Sequence, residues 1–240
     1  MIESTKLSMA AKDTLSISTW NVAAINNNPF EYWITIEGHD EYEKLMKDVE
    51  KFLDNPGDKD IRVKDVFTNE MFKELDKRMT GVGWQSVEKY WKDDFQKRKI
   101  VSGFMKDKLL GSKRLASMPD RITNTINVLD SNDPVCRPTV INMYSGDLSS
   151  LNKWWKAWEK FMFDTSLSIK GSEDGKNVYQ MLQPIKKAKY PAITEEEEKV
   201  SLPLQTMCGA IFDSILVADT LHFANQEEAL GSLPPYHIWH

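Results

Sequence analysis

The chain has 240 residues, 41% hydrophobic and 28% charged, a balance that excludes wholesale disorder and permits a sizeable core. Its length accommodates one large domain or two small ones. The net charge of −5 excludes a global attraction to nucleic acid or acidic lipid, so only a local basic patch could serve that purpose.

Cys136 and Cys208 are far apart, and the start Met1-Ile2-Glu3-Ser4-Thr5-Lys6 lacks the apolar core of a secretory signal. Both features suit reduced thiols in a cytosolic or nuclear protein. No uncharged apolar run reaches the ~20 residues of a bilayer span. The closest, Leu204 to Leu221, is interrupted by Asp213 and Asp219 and reads as a buried helix, so no membrane partner is expected.

In chain order, Leu15, Ile17 and Thr19 alternate with Ser16 and Ser18, the period of a half-buried strand. That strand delivers Trp20-Asn21-Val22 into the turn-forming run Asn26-Asn27-Asn28-Pro29. Asp40 is placed to cap a helix through Asn55, with Tyr42, Leu45, Met46, Val49, Phe52 and Leu53 at helical spacing. Asn55-Pro56-Gly57 stops it. A second helix from about Thr68 carries Met71, Phe72, Leu75 and Met79 on one face, and a third from Ser86 carries Val87, Tyr90, Trp91 and Phe95. Lys97 to Arg121 is basic: Lys97, Arg98, Lys99, Lys106, Lys108, Lys113, Arg114 and Arg121 stand against Asp107 and Asp120. Such a stretch either lines a channel for a polyanion, nucleic acid included, or forms a solvated helical face.

Asn127 to Arg137 is turn-rich, and Thr139 to Tyr144 reads as a short strand or the start of a buried segment. Ser149 or Ser150 caps a helix bearing Leu151, Trp154, Trp155, Trp158, Phe161 and Met162. Five of the eight Trp of the chain fall in two groups, Trp84 with Trp91 and Trp154 with Trp155 and Trp158, which mark core or a partner anchor. A Gly-rich loop at Gly171 to Gly175 is followed by a short helix ending near Pro184. Thr194 and Glu197 form a capping box, which makes Glu195 to Glu198 a helix start in place of a metal site. Pro203 kinks the next helix or divides it from Leu204–Leu221.

The Trp20-Asn21-Val22 string at the end of a Ser/Thr-rich strand resembles the first strand of the endonuclease/exonuclease/phosphatase superfamily. The resemblance implies a metal-dependent phosphoesterase in which Asn21 is both the catalytic contributor and a ligand of the metal-bound phosphate, with Mg²⁺ as the ion. The substrate would be a phosphoester of unspecified class. The family's later motifs have weak counterparts here. Gln226-Glu227 is the one candidate for its metal-binding Gln-Glu, and Asp130-Ser131-Asn132 for its Asp-x-Asn turn. No Asp-His dipeptide supplies the general base. The resemblance therefore implies an N-terminal portion carrying a large helical insertion, incomplete for catalysis as given. The alternative is a non-catalytic helical scaffold or interaction protein. Cys136 beside Arg137 reads as a plain thiol, since no His adjoins it in sequence.

The expected architecture is α+β and mostly α-helical: a short N-terminal strand and loop over 1–38, a helical domain over 39–230, and an irregular tail over 231–240.

Overall fold

The structure, a computed structural model, describes residues 37–116 and 122–226. The anticipated first strand, Leu15–Val22, and the 231–240 tail lie outside the described residues. Within them the fold is mostly helical α+β, as the periodicity predicts: seven α-helices and two small two-stranded sheets.

Helix α1, Asp40–Asp54, buries Tyr42, Leu45, Met46, Val49, Phe52 and Leu53, the stripe that the spacing marks out. Its cap is His39, with Asp40 already inside the helix beside Glu41 and Glu43 at the positive end of the dipole. Helix α2, Asn69–Gly81, starts at Thr68, whose hydroxyl accepts the Met71 N–H at 3.2 Å. The third predicted helix is cut short: α3 covers Glu88–Asp93, and Phe95 falls in a 3₁₀ turn, Phe95–Lys97. A π turn, Val101–Met105, and the short α4, Lys108–Ser112, follow.

The segment after Ile122 departs from the sequence reading. Thr125–Ile126 (β1) pairs antiparallel with Val135–Cys136 (β2), so the turn-rich stretch is the end of a small hairpin. Thr139 to Tyr144 is irregular, because its polar groups are engaged by side chains in place of a strand ladder: Asn142 Nδ2 donates to the carbonyls of Asn124 and Arg137 at 2.8 and 2.9 Å. Helix α5, Leu151–Asp164, is capped by Ser150, which accepts the Lys153 N–H at 3.3 Å. The Gly-rich stretch belongs to a second hairpin, Ser166–Ile169 (β3) with Ser172–Asn177 (β4). Asp and Gly disfavour strands, which hid β4 from propensity. At Gly175 (φ +94°) any Cβ would meet Ser166 Oγ at 2.5 Å, so the hairpin closes there because the side chain is absent.

Helix α6, Glu195–Lys199, shows the anticipated capping box: Thr194 N–H donates to Glu197 Oε2 at 2.9 Å, and Glu197 N–H to Thr194 Oγ1 at 3.1 Å. The break before α7, Ser201–Gln226, comes at Val200. Pro203 then sits in the first turn, where its missing N–H has no intrahelical role, and it neither kinks nor divides the helix. Apolar all round, α7 is the central element, packed against α1, α2, α5 and α6. Leu204, Met207, Cys208, Ala210, Ile211, Ile215 and Leu216 are fully buried. By length and composition Ser201–Phe223 also meets the requirement for a membrane span, despite its two aspartates; in this fold 83% of its apolar stretch is covered by the rest of the protein.

A chain of rings joins α2, α3 and α5. Phe72 stacks on Trp91 at 4.9 Å between centroids, and Phe67 meets Trp91 and Trp155 edge-on at 5.6 and 5.5 Å. Trp155 stacks in turn on Trp158 at 5.7 Å. Such pairs contribute roughly 0.5–1.5 kcal/mol each beyond their burial. The tryptophan groups are therefore core, as their helical spacing suggests.

Leu216→Ala removes a fully buried side chain of α7 and is expected to lower unfolding free energy by about 2–5 kcal/mol in urea denaturation. Leu109→Ala, at a position 53% exposed, should change it by no more than about 0.5 kcal/mol.

Candidate functional site

The residues singled out for phosphoester chemistry do not converge among the described residues. Asn21 and Glu227 lie outside them. Asp130, Ser131 and Asn132 are exposed in the loop of the first hairpin, where Ser131 Oγ accepts the Asp133 N–H at 3.0 Å as in an ordinary turn. No group of three or more His, Cys, Asp or Glu among the described residues could hold a metal such as Mg²⁺. Cys136 is a free, half-buried thiol on β2.

The basic stretch is largely committed to intramolecular partners. Arg98 donates to Asp94 at 2.7 and 2.8 Å, to Asp107, and to the Gly103 carbonyl at 2.8 Å, and it lies over the Phe95 ring. Burial works against its charge, and these two carboxylates more than restore it. Lys97 donates to the Asp93 carbonyl, Lys99 to that of Asp60, and Lys106 to that of Asp54. Lys113 pairs with Glu197 at 2.7 Å, both side chains only 13% exposed, and Arg114 lies over Tyr190. These contacts tie the 97–114 region to its surroundings. Arg121 lies outside the described residues.

The most concentrated chemistry lies where the Arg137 segment, α5 and α7 meet. Arg137 follows β2 and is 4% exposed; Asp213, in the middle of α7, is fully buried. Arg137 Nε lies 2.8 Å from Asp213 Oδ2, although its N–H is poorly aligned for a hydrogen bond. Nη2 donates to Oδ1 at 3.3 Å, and Nη1 to Thr123 Oγ1 at 3.3 Å. From α5, the Trp158 indole N–H donates to Asp213 Oδ2 at 2.8 Å. Burial pushes the Asp213 carboxyl above its ordinary value; the Arg137 charge and the Trp158 donor pull the other way. The buried Thr139 hydroxyl adds a weaker attraction, short of a well-formed hydrogen bond.

A second set of bonds fixes the same segment. Trp154 Nε1 donates to the Pro138 carbonyl at 3.0 Å, and Asn142 holds the Arg137 carbonyl through Nδ2 and the Tyr144 N–H through Oδ1. Beside Arg137 lies a cavity of about 20 Å³ lined by Thr123, Arg137, Trp158, Gln205 and Thr206. That is room for about one water molecule with polar partners, and for no organic substrate.

The sequence places Arg137 in a turn and Thr139 and Asn142 in a short strand or the start of a buried segment; the latter two are buried, without a strand, and nothing local marks the three as a cluster. The signal available was Asp213 itself. A carboxylate in the middle of an apolar helix needs a buried partner, and charged side chains are almost never fully buried unless paired. Asp213→Asn or Arg137→Met alone strands the other group, and each is expected to cost about 3–5 kcal/mol in urea denaturation. The double variant Arg137→Met/Asp213→Leu should cost less than either single change; a cost equal to their sum would show that the two side chains act independently.

A family model described as "Domain of unknown function (DUF8234)" matches residues 60–228. No curated protein and no solved structure matches the chain. No endonuclease/exonuclease/phosphatase family matches it either, which overturns the resemblance drawn from Trp20-Asn21-Val22. Three residues at a strand end are too short a string to specify a fold, and the matched region is built on helices around α7. With most of its length matched, the chain belongs to the family described as a domain of unknown function (DUF8234).

Proposed function

We propose that this protein is a non-catalytic helical interaction module that presents the 122–143 segment to a protein partner. The observation that carries this reading is the two-sided character of that segment. Thr123, Arg137, Thr139 and Asn142 are buried, whereas Ile122, Leu129 and Met143 are 59%, 57% and 47% exposed. An apolar side chain on a tethered backbone loses little further conformational freedom on binding, which favours its use as a contact. The segment is tethered at several points: to α7 through Arg137, to α5 through the Pro138 carbonyl, and to β3 through the Leu129 N–H on the Ser168 carbonyl at 2.8 Å. The closed polar cluster beneath it, with an adjoining cavity the size of one water, supports a supporting role for those groups in place of turnover.

Two measurements test the proposal. Capture by the full chain from extracts of its own source cells is expected to recover a defined partner. Ile122→Asp/Leu129→Asp should weaken that capture by about tenfold or more while leaving the melting temperature unchanged. Equal recovery by the variant overturns the assignment of the surface. Purified chain should show no Mg²⁺-dependent hydrolysis of a phosphodiester or phosphomonoester; hydrolysis that Asn21→Ala abolishes overturns the non-catalytic reading.

A further inference from the structure

Helix α7 buries two aspartates, and among the described residues only Asp213 has a cation. Asp219 is 5% exposed, and its Oδ2 finds no hydrogen-bond partner among the described residues. It lies one turn before Phe223, whose ring packs against Phe52 of α1 at 5.6 Å and beneath Lys59 Nζ at 5.6 Å. That contact brings the residue after Lys59, Asp60, to the same end of α7. Asp60 is 6% exposed and firmly placed: Oδ1 accepts the Val101 N–H at 2.9 Å, and Oδ2 accepts the Ser102 N–H and hydroxyl at 3.1 and 2.6 Å. With three donors fixed on it, Asp60 is an acceptor, and its charge acts on Asp219 across this end of α7.

The charged groups around this end of the helix are directed elsewhere. Lys59 lies over Phe223, and Lys99 donates to the backbone carbonyl of Asp60. On α1, Lys44 and Lys51 pair with Asp48 on the exposed side, and the titratable member of its buried face is Tyr42. On α2, Glu74 accepts the Trp155 indole N–H, Asp76 accepts from Ser86, and Arg78 pairs with Asp164 of α5. Arg137 is engaged by Asp213, and Glu195 to Lys199 of α6 adjoin the opposite end of α7. His222, next to Phe223 on α7, makes an edge contact with its ring.

Two carboxylates buried together without a cation between them cannot both carry charge cheaply, and the smallest remedy is one proton. We propose that Asp219 is held as a neutral carboxylic acid beside Asp60, and that its ionisation is a pH-sensitive latch on the C-terminal turns of α7. A proton from solvent occupies one Asp219 oxygen in the closed state. Its release leaves a buried anion facing Asp60, which drives the turns carrying Asp219 and Phe223 away from Asp60 and from Phe52. Burial first, and then the Asp60 charge, raise the Asp219 carboxyl well above its ordinary value, in agreement with this assignment. The folded protein thus retains a proton that the unfolded chain releases in the ordinary aspartate range. Stability is therefore greatest below that range and falls as pH rises through the raised folded value.

The test compares the full chain with Asp219→Asn, which preserves shape and is neutral at every pH. Wild type should lose stability as pH rises above the ordinary aspartate range, by up to roughly tenfold in folding equilibrium constant per pH unit until Asp219 is ionised. Asp219→Asn should lack that loss and be the more stable of the two at neutral pH. Hydrogen exchange at Leu216–Phe223, corrected for intrinsic pH dependence, should quicken over the same range in wild type only. A variant less stable than wild type at neutral pH, or one with an unchanged pH response, overturns the proposal. Asp60→Asn is the second probe: it should move the wild-type transition to lower pH by removing the repulsion that helps raise the Asp219 carboxyl, whatever its effect on absolute stability. A transition left at the same pH excludes Asp60 as the opposing group and overturns the pair.

Discussion

The ion pair between Arg137 and Asp213 is the constraint on which the surrounding structure depends. A carboxylate in the apolar centre of α7 is destabilising by itself, and a guanidinium brought from an irregular segment compensates it only with further donors in place. Trp158 supplies one from α5, so one carboxylate gathers three parts of the chain. Removing any participant leaves a buried polar group without its partner. The pair is better understood as a device that selects one docking of the 122–144 segment than as a net source of stability.

The indoles perform the same service more widely. Trp91 donates to Asn69, Trp154 to the Pro138 carbonyl, Trp155 to Glu74 and Trp158 to Asp213. Each ring buries a large apolar area while its N–H finds a specific acceptor, on α2, in the loop after β2, or on α7. Burial drives the rings together without direction. The hydrogen bonds decide which helix each ring addresses, and the stacked and edge-on contacts follow from that placement.

Much of the chain's charge is likewise used internally. Arg98 bridges Asp94 and Asp107, Lys113 meets Glu197 across the fold, and Asp60 binds the amides that open the π turn. A polar group satisfied in this manner positions backbone, which is consistent with a module that acts through its surface. Asp213 has a cation beside it, whereas Asp219 has the charge of another carboxylate acting on it, and burial raises both carboxyls.

The helical stripes of α1, α2 and α5, the capping box of α6 and the buried character of α7 were all legible in the sequence. Each depends on residues within a few turns of one another, through local capping or the 3.6-residue period. The N-terminal string around Asn21 was legible only as a string, too short to identify a family by itself. The hairpins escaped because Thr125–Ile126 and Val135–Cys136 are too brief for a period, and because β4 contains residues that strands disfavour. The partners of Asp213 and Asp219 could not be read at all. Arg137 and Asp60 are remote from them in sequence, and identical aspartates in one apolar helix acquire opposite surroundings only when the chain folds back on itself. Local periodicity determined which surfaces would be buried; tertiary packing alone decided which buried charges would meet, because that depends on through-space distance and exclusion of water.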